Sequence, residues 1–183
     1  MVWVILAIVV AVVVVYIVLI YNSLVWKKNK VQNAWSQIEV QLKRRFDLIP
    51  NIVETVKGYA EHERATLEKV TEARTRFMSG MSQKEAMNAS GEVGQLLGRL
   101  FAVAESYPEL KANENFIELQ DELTRTEDKI TFSRQFYNDV VMDLNNSIQM
   151  FPSNLIAAIF GFKQELFMHV DEMEKENINV KFE

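Results

Sequence analysis

The chain has 183 residues and a formal net charge of −5, room for one domain with an appendage but not for two full-sized domains. An acidic balance excludes nucleic acid as a partner, because the phosphate term that dominates such binding needs clustered Lys and Arg. Cysteine is absent, which removes disulfides, thiol catalysis and thiolate metal sites together, and the three prolines and six glycines, thinly spread, predict long uninterrupted helices.

From Val2 to Ile20 every residue is apolar, and no Lys, Arg, Asp or Glu precedes Lys27. About 20 such residues rise roughly 30 Å as a helix, the hydrocarbon thickness of a bilayer. The run is rich in Val and Ile, which favour strand in water. A lone strand in lipid would leave its N–H groups unpaired, so a transmembrane helix is expected from Val2 to Tyr21. A cleavable signal peptide is the alternative, but no basic segment precedes the run and no small-x-small cleavage site follows it. Val2 and Trp3 open the anchor; Tyr16, Tyr21 and Trp26 suit an interfacial aromatic belt, and Lys27, Lys28 and Lys30 follow as a stop. With Lys43, Arg44 and Arg45, these lysines all lie C-terminal to the span. The positive-inside rule then expects a single-pass membrane protein with its N-terminus outside and its C-terminal domain cytoplasmic.

Leu24, Val31, Trp35, Ile38, Leu42 and Phe46 fall mostly three, four or seven residues apart, one face of a helix that continues the anchor. Pro50 predicts a bend or break, because it lacks a donor and disfavours helix at Ile49. A second helix is expected from Asn51 to about Phe77, its stripe made by residues such as Ile52, Val56, Ala60, Leu67 and Val70. Ser79 to Ser82 reads as a turn, with Ser82 and Glu85 spaced as a capping box. A third helix runs to about Tyr107, its Gly91, Gly94 and Gly98 permitting close packing, and a fourth runs from near Asn113 to about Met150, where Pro152 ends it.

Short links between long amphipathic helices favour antiparallel neighbours. The expected fold is all-α: the transmembrane helix continuing into an antiparallel up-and-down four-helix bundle of long helices. The expected organisation is an anchor over 1–26, the bundle over 27–151, and a C-terminal apolar helix and tail over 152–183. Within that last part, Asn154 to Val170 carries Phe160, Phe162, Phe167 and other apolar residues. It reads either as a helix docked into the core or as an interfacial or self-association surface. Asn177 to Glu183 is the one stretch that reads as strand. Asn138, Asn145, Asn146 and Gln149 crowd the end of the fourth helix, as buried amides pairing across helices or as plain surface polarity.

No chemistry converges. A di-iron bundle needs inward Glu-x-x-His pairs. No acid precedes His62 by three residues, and Glu165 stands four, not three, before His169. No nucleophile elbow, phosphate-binding glycine loop or H-E-x-x-H signature is present. No enzyme activity, cofactor, metal or catalytic residue is expected.

The run Trp35-Ser36-Gln37-Ile38 through Gln41 to Arg45, followed by Asp47 to Asn51, strongly resembles the bacterial LemA family. Tyr21 to Val25, Val56 to Ala60 with His62-Glu63, Tyr107 to Ala112, Phe136 to Asn138 and Phe151 to Asn154 match as well, while the C-terminal tail matches loosely. The resemblance implies an N-terminal membrane helix, a four-helix-bundle-like domain and no established enzymatic activity. The anchor, the long helices, the apolar C-terminal segment and the absence of chemistry lead to membrane lipid as the expected partner, together with further copies of the chain, in a scaffold that self-associates or organises the membrane. The alternative is an adaptor for another membrane protein, such as a membrane protease. Trp35, Arg44, Arg45, Phe160, Phe162 and Phe167 are the candidate contact residues.

Overall fold

A computed structural model describes residues 1–59 and 63–168, and every regular element in them is helical. Ala60, His62, His169 and the stretch 177–183 lie outside the described residues. The elements are α1 (Val2–Lys57), α2 (Arg64–Met78), α3 (Gln83–Ala104), α4 (Pro108–Lys111), α5 (Glu114–Gln149) and α6 (Ser153–Phe160). Among the described residues the chain forms two compact units, one of residues 1–38 with 132–168 and one of 39–131. Their limits fall inside α1 and α5.

The apolar run and the first amphipathic segment are one helix, as expected, but the break at Pro50 is absent. Helix α1 passes through Pro50 and stops at Lys57, before a turn at Gly58 and Tyr59, so the expected second helix is shortened to α2. Proline inside a helix costs about 3 kcal/mol, partly because the carbonyl four residues earlier loses its donor. That carbonyl belongs to Phe46, and Arg74 Nε donates to it at 3.2 Å. Beyond the proline, Ile52 and Val56 are completely buried. Each such burial stabilises by about 1.5–3 kcal/mol, enough to offset the proline.

In the unit of residues 39–131, α1, α2, α3 and α5 share one core. Phe46 stacks on Phe77 at 4.1 Å between centroids, and Phe101 meets Phe116 edge-on at 5.9 Å. The turn and cap expected at Ser79 to Ser82 are present. Ser82 N donates to Glu85 Oε2 at 2.9 Å, and Glu85 N donates back to Ser82 Oγ at 3.4 Å. Asn113 caps α5, its Oδ1 accepting from Phe116 N at 3.0 Å.

In the other unit, Trp35 meets Tyr137 edge-on at 6.2 Å, and Val31, Ile38, Val140, Val141 and Leu144 are buried with them. The helix expected from Asn154 to Val170 is much shorter. It ends at Phe160 because Gly161 takes the left-handed φ of 72°, and Phe162 N then reaches back to Ala157 O at 2.9 Å. Residues 162–168 are not helical. Asn145 exchanges two hydrogen bonds with the backbone of Glu165, both 2.9 Å, and Asn138 two with Met168, at 3.0 and 2.8 Å. The spacing explains the match: seven helical residues rise about 10.5 Å, and three extended residues span about 10 Å.

Candidate membrane interface

The first sixteen residues of the chain are all exposed, Trp3 at 82% and Tyr16 at 51% among them. A core helix of a soluble protein would be covered by its own chain; none of the most apolar window of α1 is. Protein contact begins at Ile17. There Ile17, Ile20 and Leu24 receive Ile156 and Ala157 of α6, with Ile148 and Phe162 beside them. Tyr21 is flanked by two rings, Phe160 at 4.7 Å and Phe162 at 5.8 Å.

The lysines after this seat have different partners. Lys27 Nζ donates to Asp143 Oδ1 at 2.6 Å and to Ser147 Oγ at 2.7 Å, and its side chain is only 20% exposed. Lys30 Nζ lies 5.2 Å from the Trp26 ring centre and 5.9 Å from that of Phe136, within cation–π range. Trp26 and Lys28 face outward. The exposed aromatic and the cations thus occupy adjacent turns at the end of the apolar run, the arrangement that suits headgroup level.

The remaining candidate contact residues separate. Trp35 is buried against Tyr137. Burial pushes the Tyr137 hydroxyl above its ordinary pKa, and the carboxylate of Glu165 adds to the shift. Arg45 is also buried: its guanidinium donates to Ser90 O at 3.1 Å and Ser90 Oγ at 3.0 Å, and pairs with Glu127 at 2.9 Å. Arg44 stays half exposed, paired with Glu122. Phe160 and Phe167 are about half exposed, and Phe162 is half-buried. The sequence reading allowed for a docked helix here but placed neither its seat on the apolar run nor the partners of Lys27. One signal for both was available: no ionisable residue falls between Asp143 and Lys163, which marks Asp143 as the last carboxylate before an uncharged stretch.

Elsewhere, the 39–131 unit carries an open groove between α1 and α5, lined by Glu54, Glu118, Asp121, Glu122 and Arg125 among others. Among the described residues, no three His, Asp or Glu side chains gather as metal ligands.

The sequence model of the LemA family matches residues 34–182. The chain belongs to the LemA family. The matched region starts after the apolar run, so the family signature resides in the helices that follow. Among relatives of this LemA-family chain, Protein LemA of Metamycoplasma hominis is 25% identical over 86% of this chain and 73% of its own length. Magnetosome protein MamQ 2 of Paramagnetospirillum magneticum is 28% identical over 79% of this chain, and Magnetosome protein MamQ of Magnetospirillum gryphiswaldense 25% over 81%. The chain spans 62% and 64% of those two magnetosome proteins. Neither name specifies a reaction.

Proposed function

We propose that this chain is a membrane-anchored, non-enzymatic helical scaffold that self-associates or organises the bilayer around it. One observation carries the anchor: the first sixteen residues of the apolar run of α1 are all exposed, and packing by the described residues sets in at Ile17. A cleaved signal fits poorly, since cleavage after the run would remove Ile17 and Ile20, which seat α6. The helical domain reads as an up-and-down bundle of the kind the family resemblance implies. The positive-inside rule favours a cytoplasmic location for it in a bacterial cell.

Self-association draws support from Val40 on α1 and Ile117 on α5, apolar side chains that are 63% and 46% exposed. Tethering to one surface raises the effective concentration of such side chains, so weak lateral contacts suffice for assembly. Light scattering on the detergent-solubilised chain tests this: oligomers growing with concentration are expected, and a strict monomer throughout sinks the scaffold. The adaptor reading rests on Trp26, Lys28 and Arg44, which remain outward-facing and could meet another membrane protein. Photocrosslinkers at Lys28 and Arg44 separate the two, self-adducts favouring the scaffold and adducts to a distinct protein the adaptor.

A further inference from the structure

The region from Met150 to Phe162 is unusual for a segment at the edge of a helical unit. It holds no charged residue, and α6 is apolar on nearly every side. Its Ile156 and Ala157 are buried, yet Leu155 and Ile159 on the other face are 54% and 74% exposed. Phe151, in the turn before it, is 80% exposed and Met150 64%. A helix that is hydrophobic all round belongs in a protein core or in lipid, and here only one face has protein against it.

The place of α6 decides between water and lipid. It packs on Ile17, Ile20 and Leu24, and Ile17 and Ile20 belong to the apolar run itself. Its outer face is therefore level with the last turns of the span and continuous with the lipid-exposed side chains of α1. Gly161 ends the helix, and the charged residues resume at Lys163, whose long side chain reaches headgroups from the rim of such a patch.

We propose that α6 and the turn before it form a second membrane contact, with Met150, Phe151, Leu155 and Ile159 entering the acyl region of the leaflet nearest the helical domain. The span and this foot together fix the first unit at one depth and one rotation about the span axis, which a lone helix cannot do. The inference rests on the anchor reading above and goes beyond it.

The absence of cysteine makes the test direct. Val9→Cys, Ile159→Cys and Phe132→Cys are each introduced into the full chain, spin-labelled, and placed in nanodiscs of phosphatidylcholine and phosphatidylglycerol. Collision with oxygen, which concentrates in lipid, is compared with collision with a water-soluble nickel chelate. The label at position 9 is expected to favour oxygen, the label at 132 to favour nickel, and the label at 159 to favour oxygen. Its depth should be about 5–10 Å below the phosphates, as for interfacial helices. A label at 159 that favours nickel while that at 9 favours oxygen overturns the foot and leaves the anchor standing. If the label at 9 also favours nickel, both fall. A label at 159 shielded from both reagents and broadened by a neighbouring spin means that a second copy covers α6, which likewise overturns the lipid contact. Circular dichroism matching that of the unaltered chain confirms that each labelled variant is folded; all three positions are exposed, so no core contact is lost.

Discussion

In the unit of residues 39–131 a cation, Arg45, is buried, whereas the unit that bears the apolar run buries amides, Asn145 and the half-buried Asn138. The guanidinium reaches a hydroxyl and a carbonyl on α3 and a carboxylate on α5, so a single side chain ties three helices. Each amide instead matches one peptide group, donor to acceptor and acceptor to donor, and holds a non-helical segment against α5. The difference lies in what each group demands of its partners. A charge fixes several elements at once but needs a counter-charge that stays ionised. A neutral amide needs only complementary geometry.

The largest effects should come from breaking the charge. Glu127 is 45% exposed, while the Arg45 side chain is 5% exposed. Removing the arginine lets Glu127 turn to water; removing the carboxylate leaves a cation buried. Glu127→Gln should therefore cost about 2–3 kcal/mol in urea unfolding, less than a fully buried broken pair because solvent reaches Glu127, and Arg45→Met about 1 kcal/mol less. Equal losses would remove the asymmetry on which the comparison rests. Gly94 sharpens it. A Cβ there would sit 3.0 Å from Arg45 Nη2, whereas one at Gly98 would meet nothing within 4 Å. Gly98→Ala should gain about 0.5–1 kcal/mol of helix stability, and Gly94→Ala should lose that gain in the parent but recover it beside Arg45→Met.

The amides come next. Asn145→Ala and Asn138→Ala each remove two hydrogen bonds from a half-covered backbone, worth about 1–2 kcal/mol together. Their effect should be local. Hydrogen exchange at the Glu165 and Met168 amides should speed up while the amides of α3 stay protected, and acceleration throughout α3 would show that the amides also support the charged unit.

Much of the helical content was legible in the sequence, for stated reasons. The apolar period located the continuation of α1 past the anchor, Ser82 with Glu85 marked the start of α3, and Asn113 that of α5. Two boundaries were not legible. Whether a proline ends a helix depends on who takes the orphaned carbonyl, and Arg74 lies 28 residues from Phe46. The length of α6 depended on Gly161, whose left-handed backbone outweighed the apolar period continuing through Leu166 and Phe167. Of the candidate contact residues, Trp35 lay on the apolar stripe of α1 and Arg45 among the basic residues that follow the anchor, and helical period alone does not reveal what another helix brings opposite either. Tyr137, Ser90 and Glu127 are those partners.

Smaller still should be the exchange at Pro50. Pro50→Ala restores a donor for Phe46 O, so Arg74→Met, which costs about 1 kcal/mol in the parent, should cost less in that background. Equal cost in both would mean that Arg74 does not stand in for the missing N–H.

The smallest effect belongs to Glu85, fully exposed in the 39–131 unit and so a charge of the opposite kind to Arg45. The Ser82 side chain and then its backbone N–H hold the Glu85 carboxyl below its ordinary pKa. A depressed folded value means the ionised form is favoured by folding. Its contribution is therefore complete above the unfolded pKa and fades as pH falls through the folded one. Glu85→Gln should lower the melting temperature slightly at neutral pH, where that contribution is complete, flatten the shallow acid limb, and converge with the parent below the folded pKa. Because water already solvates this carboxylate, the change should stay well below that of Glu127→Gln. A larger loss at Glu85 than at Glu127 would mean that burial is not what separates the two carboxylates.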